Sequence, residues 1–231
     1  MSVIQINGLH KHYGDGDSQV RALDGVSLTV DQGEYVAIMG ASGSGKSTMM
    51  NLLGCLDIAT LGDYLINGIN VKDMSENQLA QIRNRYIGFV FQSFNLIPRV
   101  SALGNVEMPM AYAGVPARER KQRAMAALTM VGLSERALHL PNELSGGQQQ
   151  RVAVARSLVN APALILADEP TGNLDSQSTA DVLGIFDRLN DQGRTIVLIT
   201  HEDEVAARAR RILRMKDGKI VFDSRAEVVA A

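Results

Sequence analysis

From residue 40 the chain reads Gly40-Ala41-Ser42-Gly43-Ser44-Gly45-Lys46-Ser47-Thr48, which fits the phosphate-loop pattern G-x-x-x-x-G-K-S/T. Residues 34–39 before it form a short apolar run that predicts a buried strand, and residues 48–53 after it predict a helix. A strand that turns through glycines into a helix directs several backbone N–H groups, and the positive end of the helix dipole, at one point. The stretch therefore predicts a site for a nucleoside triphosphate.

The side chains of this loop suit phosphate chemistry. We expect Lys46 to place its charge on the β- and γ-phosphates and the Ser47 hydroxyl to ligate Mg²⁺. Glycines are needed because a Cβ would block the close approach of phosphate and would resist the required φ values. The alternative is a Gly/Ser-rich turn that binds nothing, and the combination of strand, spacing, lysine and serine disfavours it.

The composition limits the class of protein. The 231 residues are 45% hydrophobic and 21% charged, which suits one sizeable globular domain. The net charge of −2 argues against a dedicated nucleic-acid binder, which usually carries a basic face. The single cysteine, Cys55, has no partner for an internal disulfide, and we expect it to be a small buried hydrophobe. No apolar run has the length of a membrane span, and the N-terminus does not resemble a signal peptide.

The first part of the chain predicts a small antiparallel sheet. Residues 3–6 and 26–30 alternate between apolar and polar side chains, as strands with one wet face do. Between them, residues 11–18 predict a polar, glycine-rich loop that carries Tyr13 as an exposed aromatic. We expect this sheet to lie beside the nucleotide.

The remainder predicts an α/β core with a helical insertion. Residues 87–91, 163–167 and 195–200 are the apolar runs expected of buried parallel strands. Residues from about 93 to 158 are mostly helix-prone and interrupt this alternating pattern. They predict a helical subdomain.

Polar residues follow three of the predicted parallel strands, namely Gln92, the pair Asp168-Glu169, and His201. Ligands of open α/β sheets sit at the carboxyl ends of the strands, so we expect these groups to meet the phosphate loop at one nucleotide. Asp168 is expected to hold Mg²⁺, and Glu169 to polarise a water molecule for attack on the γ-phosphate. His201 is expected to hydrogen-bond that phosphate and hold the attacking water. The alternatives are a helix or turn cap for Asp168, a solvated acid for Glu169 and a structural histidine for His201.

A second sharp signal is Leu144-Ser145-Gly146-Gly147-Gln148-Gln149-Gln150-Arg151. Ser145 is a good N-cap, and the two glycines open the helix that follows. This arrangement predicts a second anion site at a helix N-terminus, the alternative being an ordinary capped helix. Because the phosphate loop already serves the chain's own nucleotide, a second anion site is best explained if it covers the nucleotide of another copy.

Together these motifs make the chain resemble an ATP-binding-cassette (ABC) ATPase subunit over about residues 3–223. The motifs occur in the family's order: phosphate loop 40–48, Q-loop Gln92, signature 144–148, Asp168-Glu169, D-loop Asn173-Leu174-Asp175 and H-loop His201. The resemblance implies an α/β fold, with a phosphate-loop (RecA-like), mainly parallel sheet core, a small antiparallel β subdomain and a helical subdomain. It implies a single ABC ATPase domain over 1–231, with the nucleotide-binding core at about 1–92 and 159–231 and the helical subdomain at about 93–158.

The resemblance also implies roles for residues around the chain's own nucleotide. Tyr13 would stack on the adenine, with a packing tyrosine as the alternative, and Glu169 and His201 would be the catalytic base and the γ-phosphate clamp. The implied Mg²⁺ ligands are Ser47, Gln92 and Asp168. The implied contacts to ATP are Tyr13, Gly40, Ala41, Ser42, Gly43, Ser44, Gly45, Lys46, Ser47, Thr48 and Gln92.

A second copy of the chain is the first partner that the resemblance implies. Asp175 would cross the dimer interface, and both sites of the homodimer are expected to hydrolyse ATP. The residues implied to reach the ATP of the facing subunit are Ser145, Gly146, Gly147 and Gln148.

Three segments resemble the macrolide-efflux and lipoprotein-release branch of the family: 51–57, 88–98 and 167–175. The branch implies an integral membrane permease with a large extracytoplasmic domain as a further partner, and it leaves open a periplasmic adaptor and an outer-membrane channel reached through the permease. Residues 59–63 depart from the branch, whose members usually carry Pro-Thr-Ser-Gly there, and we expect only a local loop change.

The resulting hypothesis is an ATPase that energises export from the cytoplasmic face of the inner membrane, as a peripheral subunit. The alternative keeps the membrane partner but drops transport, so that the ATPase regulates cell division or envelope enzymes. A soluble ABC ATPase acting on nucleic acid or ribosomes is less favoured, because such proteins usually have two cassettes or a long coiled-coil insertion. The ATPase sequence does not specify a cargo, since in this architecture the permease meets it.

Overall fold

The computed structural model describes residues 1–225, apart from the side chain of Asp17, so the last six residues of the expected 1–231 domain lie outside the described residues. In chain order the strands are β1 (Ser2–Tyr13), β2 (Val20–Asp31), β3 (Tyr35–Met39), β4 (Leu61–Ile66), β5 (Ile69–Asn70), β6 (Ile87–Phe91), β7 (Leu164–Asp168), β8 (Thr195–Ile199), β9 (Arg211–Lys216) and β10 (Lys219–Asp223). The α-helices are α1 (Lys46–Leu53), α2 (Glu76–Tyr86), α3 (Ala102–Tyr112), α4 (Ala117–Met130), α5 (Gly146–Leu158), α6 (Ser176–Asp191) and α7 (Asp203–Ala206). Short 3₁₀ turns lie at Gly16–Ser18, Ser134–Arg136 and Pro141–Glu143.

The larger sheet has six strands in the order β10-β9-β3-β8-β7-β6, all parallel except β10. Every residue of β3 and of β8 is buried, as expected of central strands that are covered on both faces. One face packs with α1 and the antiparallel strands in one hydrophobic cluster, and the other packs with α3 to α6 in a second. The prediction of a mainly parallel core is therefore confirmed.

The smaller sheet is antiparallel, in the order β2-β1-β4-β5. The predicted strands at 3–6 and 26–30 lie within β1 and β2. The predicted loop at 11–18 is too long, because β1 continues to Tyr13, which pairs with Val20. Several register shifts along the β1–β2 ladder let this polar stretch stay paired. Tyr13 is thus held by a strand end rather than by a loop.

The segment between β6 and β7 is mostly helical, as the sequence indicates, and consists of α3, α4 and α5 joined by short turns. Asn105 is fully buried there, where its Oδ1 accepts from the Ile97 N–H at 2.8 Å and its Nδ2 donates to the Val100 carbonyl at 2.8 Å. These bonds attach the loop that follows β6 to α3. Among residues 1–225, no helix combines the length and the apolar character needed to cross a bilayer.

Candidate functional site

The phosphate loop lies between β3, at the centre of the parallel sheet, and the first turn of α1. Gly45 has a φ of 98°, a conformation that L side chains rarely adopt. A Cβ on Gly45 would lie 2.5 Å from the Ala22 carbonyl oxygen, and one on Gly40 would lie 2.5 Å from that of Met215. Close packing against backbone therefore requires glycine at both positions, and at Gly45 the backbone conformation requires it as well.

Lys46 brings a positive charge to the mouth of this loop. Its Nζ donates to the carbonyl oxygens of Gly40 at 2.6 Å and Ala41 at 2.9 Å, and the residue is only 9% exposed. The buried Ser44 Oγ has no hydrogen-bond partner among the described residues, so a further polar atom is available inside the loop. A cradle of glycines around an ammonium group fits a polyanion such as a triphosphate.

A cavity of about 1130 Å³ opens above the loop, and we call it the phosphate-loop cavity. The carboxyl ends of β3, β6, β7 and β8 all reach it, as the sheet geometry predicts. Of the residues expected around the chain's own nucleotide, all except the buried Ser44 line it. The lining residues are Tyr13, Val20, Arg21, Ala22, Gly40, Ala41, Ser42, Gly43, Gly45, Lys46, Ser47, Thr48, Gln92, Asp168, Glu169, Ile199, His201, Asp217 and Gly218.

Asp168 and Glu169 are adjacent acids with different environments. Burial, and then the neighbouring Glu169 carboxylate, raise the pKa of Asp168, while the Lys46 ammonium opposes both. Glu169 has a positive φ of 42°, and its N–H donates to the Ile199 carbonyl at 2.8 Å. Glu169 thus adopts a left-handed backbone conformation that is uncommon for a non-glycine residue, at a position that lines the cavity.

Glu169 and His201 are in direct contact. His201 Nδ1 lies 2.8 Å from Glu169 Oε1, which joins the ends of β7 and β8 across the sheet. The imidazole is largely exposed to the cavity, with 61% of the side chain accessible, so its other nitrogen is free to meet a ligand. The sequence predicted both residues but not that they form a pair.

The expected Mg²⁺ ligands, Ser47, Gln92 and Asp168, line the same cavity and offer only oxygen donors to a cation. Such a set fits a hard cation, and Mg²⁺ commonly takes one or two carboxylates with the rest of its ligands from water and phosphates. Within residues 1–225, no group of three or more His, Cys, Asp or Glu side chains is placed to hold a metal. A cation at these three residues would take its remaining ligands from water and from the phosphates of the nucleotide.

The signature segment, residues 144–148, lies outside the phosphate-loop cavity, and none of its residues is among those that line it. Ser145 caps α5 through a capping box: its Oγ accepts from the Gln148 N–H at 3.3 Å, and the Gln148 Oε1 accepts from the Ser145 N–H at 3.0 Å. A Cβ on Gly147 would lie 2.4 Å from the Ser178 Oγ. The start of α5 is thus packed closely against α6.

Asp175 caps α6 within its own chain. Its two carboxylate oxygens accept from the backbone N–H and the hydroxyl of Ser178, at 2.9 and 2.8 Å. Those hydrogen bonds, the backbone one first, lower the pKa of Asp175. The same serine therefore contacts both the signature segment and the residue expected at the dimer interface.

Sequence reasoning missed two residues that tie the motifs together. Gln150 is fully buried, and its Nε2 donates to the carbonyl of Pro170 at 2.6 Å and to that of Phe91 at 3.2 Å. Arg156 donates to the carbonyls of Phe94 at 2.9 Å and Asn95 at 2.5 Å. Helix α5 thus holds the turn after β7 and the loop after β6. Its run of three glutamines gives no sign of which one turns inward.

The Q-loop and the D-loop also meet. A Cβ on Gly172 would lie 2.5 Å from the Gln92 Nε2, and Asn173 Nδ2 donates to the Gln92 carbonyl at 3.1 Å. A residue at the edge of the cavity is therefore packed directly against the segment that leads to Asp175.

A second cavity, the apolar groove, lies between α2, β6, α3 and α5 and measures about 560 Å³. Phe89 and Phe91 stack in its wall with ring centroids 5.4 Å apart, and the largely exposed Tyr112 stands on its rim. Among its described lining residues there are two arginines and no acid. The lining residues are Leu56, Ala80, Arg83, Asn84, Ile87, Gly88, Phe89, Phe91, Asn95, Met108, Pro109, Tyr112, Arg156, Ser157 and Asn160.

Comparison with known protein families matches residues 23–172 to the ABC transporter family. A relative of nearly equal length is an uncharacterized ABC transporter ATP-binding protein of Thermotoga maritima, 54% identical over 227 residues, which cover 98% of this chain and 97% of the relative. The macrolide export ATP-binding/permease protein MacB of Hyphomonas neptunium is 55% identical over 229 residues. The match covers 99% of this chain but only 36% of that relative, so this chain spans about a third of the fused protein.

A similar solved structure is the dimeric ATP-binding cassette MJ0796 in a post-hydrolysis state, bound to ADP and Pi. Its TM-score is 0.87 at 44% sequence identity, and the superposition covers 96% of this chain and 97% of that one. The likeness in sequence and fold extends over the core, the antiparallel sheet and the helical segment alike.

Proposed function

This chain belongs to the ABC transporter family, as an ATP-hydrolysing cassette, and on that premise we propose that two copies sandwich ATP to drive a membrane permease of the macrolide-efflux and lipoprotein-release type. Each copy would supply its phosphate-loop cavity to one nucleotide and its signature segment to the other. The expected result is closure of the dimer on ATP and reopening after hydrolysis.

The observation that carries the dimer is the separation of two anion-binding features within one chain. The phosphate-loop cavity collects nearly all of the expected own-chain contacts, whereas the capped start of α5 contributes no residue to its lining and leaves Ser145 exposed. A helix N-terminus with an exposed cap suits an anion supplied from outside the chain. A two-fold symmetric pair gives each signature segment a nucleotide to cover.

We assign the hydrolytic roles by the same geometry. Lys46 and the loop N–H groups would bind the phosphates, and Ser47, Asp168 and Gln92 would hold Mg²⁺, which neutralises charge on the β- and γ-phosphates. Glu169 would accept a proton from the attacking water. His201, oriented through the contact of its Nδ1 with Glu169, would donate a hydrogen bond from Nε2 to the γ-phosphate, which requires that both ring nitrogens carry a proton. Water and phosphate would then be aligned before reaction.

The helical subdomain is assigned to about residues 93–158, and we propose that the permease docks in the apolar groove beside it. Support comes from the groove's aromatic wall and from its position against Arg156, which also binds the carbonyls of the loop after Gln92. A cytoplasmic permease helix with apolar residues and at least one acid would complement a groove that carries arginines and no acid. Movement of the Q-loop on ATP binding would then be passed to the permease.

Export is the direction we propose, with the protein peripheral at the cytoplasmic face of the inner membrane. Support comes from relatives whose names describe macrolide or pyoverdine export, in which the cassette is fused to a permease. The permease proposed here has a large extracytoplasmic domain. An adaptor and an outer-membrane channel would join the system through that domain.

The test is an affinity pull-down of tagged Glu169→Gln with ATP from detergent-solubilised membranes of the native host, followed by mass spectrometry. We expect a permease with a large extracytoplasmic domain, recovered with ATP and lost when Arg156, at the groove, is replaced by Glu. Recovery of division proteins would replace export by the regulatory function. Recovery of ribosomes or DNA without a membrane protein would contradict the transport proposal.

A further inference from the structure

Lys11, Tyr13 and Asp57 form a cluster that none of the recognised motifs accounts for as a whole. The Tyr13 hydroxyl donates to Asp57 Oδ2 at 2.8 Å, and Lys11 Nζ donates to Asp57 Oδ1 at 2.6 Å. Lys11 Nζ also lies 4.9 Å from the centroid of the Tyr13 ring. The carboxylate therefore binds both neighbours at once, one through each oxygen.

These contacts leave one face of the ring available. Lys11 covers one face and is itself well covered, with 13% of its side chain exposed. Tyr13 nevertheless remains 42% exposed and lines the phosphate-loop cavity. The hydroxyl is fixed at one end and strand β1 fixes the backbone at the other, so the open face has a set orientation toward the cavity.

Asp57 is placed by the same helix that begins at the phosphate loop. After α1 ends, the N–H groups of Leu56 and Asp57 donate to the Asn51 carbonyl at 2.8 and 3.3 Å. The Ile58 N–H donates to the Asp57 carboxylate at 2.7 Å. The chain turns sharply at Cys55, which has a φ of 52°. One short helix thus connects the phosphate end of the cavity to the carboxylate that binds Tyr13.

The charge states agree with this arrangement. Burial alone would raise the pKa of Asp57, but hydrogen bonds from Lys11, Tyr13 and the Ile58 N–H lower it, so the carboxylate stays ionised. Burial, and then the hydrogen bond to Asp57, raise the pKa of Tyr13, so its hydroxyl stays a donor. The Lys11 cation draws electron density from the covered face of the ring, which favours stacking of an electron-rich purine on the open face.

We propose that Asp57 and Lys11 are positioning residues for the base subsite, which hold the Tyr13 ring so that its open face stacks on adenine. This inference rests on the proposed binding of ATP in the phosphate-loop cavity. Neither residue touches the phosphates in this account. Their loss should therefore weaken the binding of ligands that carry a base and spare ligands that consist of phosphate alone.

The experiment measures dissociation constants for Mg²⁺-ATP and for inorganic tripolyphosphate by calorimetry in the Glu169→Gln background. Tyr13→Ala should weaken ATP binding about tenfold, the loss typical of one stacked base. Asp57→Ala should weaken it about threefold to tenfold, as expected for loss of a charge-assisted hydrogen bond. Lys11→Met should have a smaller effect of the same kind. Tripolyphosphate affinity should stay at the parental value in all three variants.

Turnover in the wild-type background supplies the second readout, in which Asp57→Ala should raise KM for ATP and leave kcat unchanged. The matched control is Asp63→Ala, which removes another acid of the antiparallel sheet, paired with Lys72 at 3.3 Å but not in contact with Tyr13. Asp57→Asn retains an acceptor for the tyrosine and should recover part of the ATP affinity. In a double-mutant cycle, adding Asp57→Ala to Tyr13→Ala should cost little more.

Two results would overturn the proposal. One is an unchanged ATP affinity in both Asp57 variants while Tyr13→Ala loses it. The other is an equal loss for ATP and tripolyphosphate in Asp57→Ala, which would mean that Asp57 supports the fold of α1 rather than the base. Failure of the parental protein to bind ATP at all would be a distinct result, since it would remove the proposed function itself.

Discussion

The phosphate-loop cavity and the signature segment of this chain differ in how complete they are. The cavity gathers side chains from the ends of four parallel strands, from α1 and from the tip of β1. The signature segment has a capped, closely packed helix start, and none of its residues lines that cavity. In the proposed dimer, one chain would contribute the larger part of one site and a smaller part of another.

Although they face different nucleotides in this account, the two regions are mechanically connected inside the chain. Gln150 ties the signature helix to the turn after Asp168-Glu169, and Ser178 contacts both Gly147 and Asp175. A change at the phosphate-loop cavity can therefore reach the start of α5 through few contacts. Substitutions in each region, and in the contacts between them, should therefore have separable effects.

Glu169→Gln should have a large effect on turnover, because it removes the proposed catalytic base but leaves the groups that bind ATP in place. We expect kcat to fall about 10³-fold, the usual scale for loss of a general base. ATP affinity should stay the same, since the phosphate-binding groups are intact. Steady-state hydrolysis and equilibrium ATP binding check both expectations. The control is Glu202→Gln, which removes an exposed acid next to His201 and should leave kcat unchanged.

Mixing two inactive variants tests whether the two regions act on the same nucleotide from different chains. Lys46→Ala disables the cavity and Ser145→Arg disables the signature segment, so each alone should be inactive. An equimolar mixture should recover up to about a quarter of the wild-type rate, because random pairing makes half of the dimers mixed and each mixed dimer has one intact site.

The control for this mixture combines Lys46→Ala with Glu169→Gln. Both changes lie in the cavity, so every pairing leaves both sites defective and no activity should return. Recovery of activity in this control would mean that one subunit can also supply cavity residues to the site of the other. Absence of recovery in the first mixture, with heterodimers demonstrated, would favour hydrolysis within one chain.

Gln150→Met tests the connection between the regions, since it keeps the length of the side chain but removes its donor. Leaving the buried carbonyls of Pro170 and Phe91 unpaired should lower the free energy of unfolding by about 1–3 kcal/mol. kcat should fall more than ATP affinity, because the helix start and the catalytic turn are no longer held together. Chemical denaturation and hydrolysis assays measure the two effects. Gln122→Met, at an exposed position of α4, is the control and should be near wild type in both.

Substitution of Asp175 should have the smallest effect of the set. It should leave the stability of the single chain nearly unchanged and specifically lower the turnover of the dimer. Asp175→Asn keeps a good N-cap for α6 but removes the charge, whereas Asp175→Ala removes both. We expect Asp175→Asn to melt at the wild-type temperature yet to lose turnover about twofold to fivefold, if the carboxylate contacts the partner. Thermal unfolding compared with hydrolysis at several protein concentrations checks this. Equal losses of stability and turnover in both variants would restrict Asp175 to its cap.

The sequence was sufficient to predict the fold and most of the residues that line the phosphate-loop cavity. The apolar runs of β3, β6, β7 and β8 each end in a motif residue, and parallel strands bring their carboxyl ends to one edge of a sheet. Local periodicity and this rule predict the parallel core, and the resemblance to ABC ATPases supplies the rest of the fold. The predicted start of the loop after β1 was wrong. Cross-strand pairing keeps the polar residues up to Tyr13 in the ladder, although their local tendency is to form a loop.

Side-chain contacts between segments that are distant in the chain could not be predicted from the sequence pattern. Asp57 lies 44 positions from Tyr13, and Gln150 lies 59 from Phe91, so no local pattern relates them. Burial of a polar side chain such as Gln150 depends on which carbonyls face it, and that is decided only when α5 packs on the sheet. The pairing of Glu169 with His201 likewise depends on the register of β7 and β8.

The most direct test of the account is the solution mass of Glu169→Gln with and without Mg²⁺-ATP, measured by light scattering during size-exclusion chromatography. We expect the 25.0 kDa chain to double in mass with ATP and to remain a monomer with ADP. Adding Ser145→Arg should abolish the doubling while ATP affinity is retained. A monomer at saturating ATP, or a dimer that persists with Ser145→Arg, would contradict the claim that the signature segment completes the partner's site.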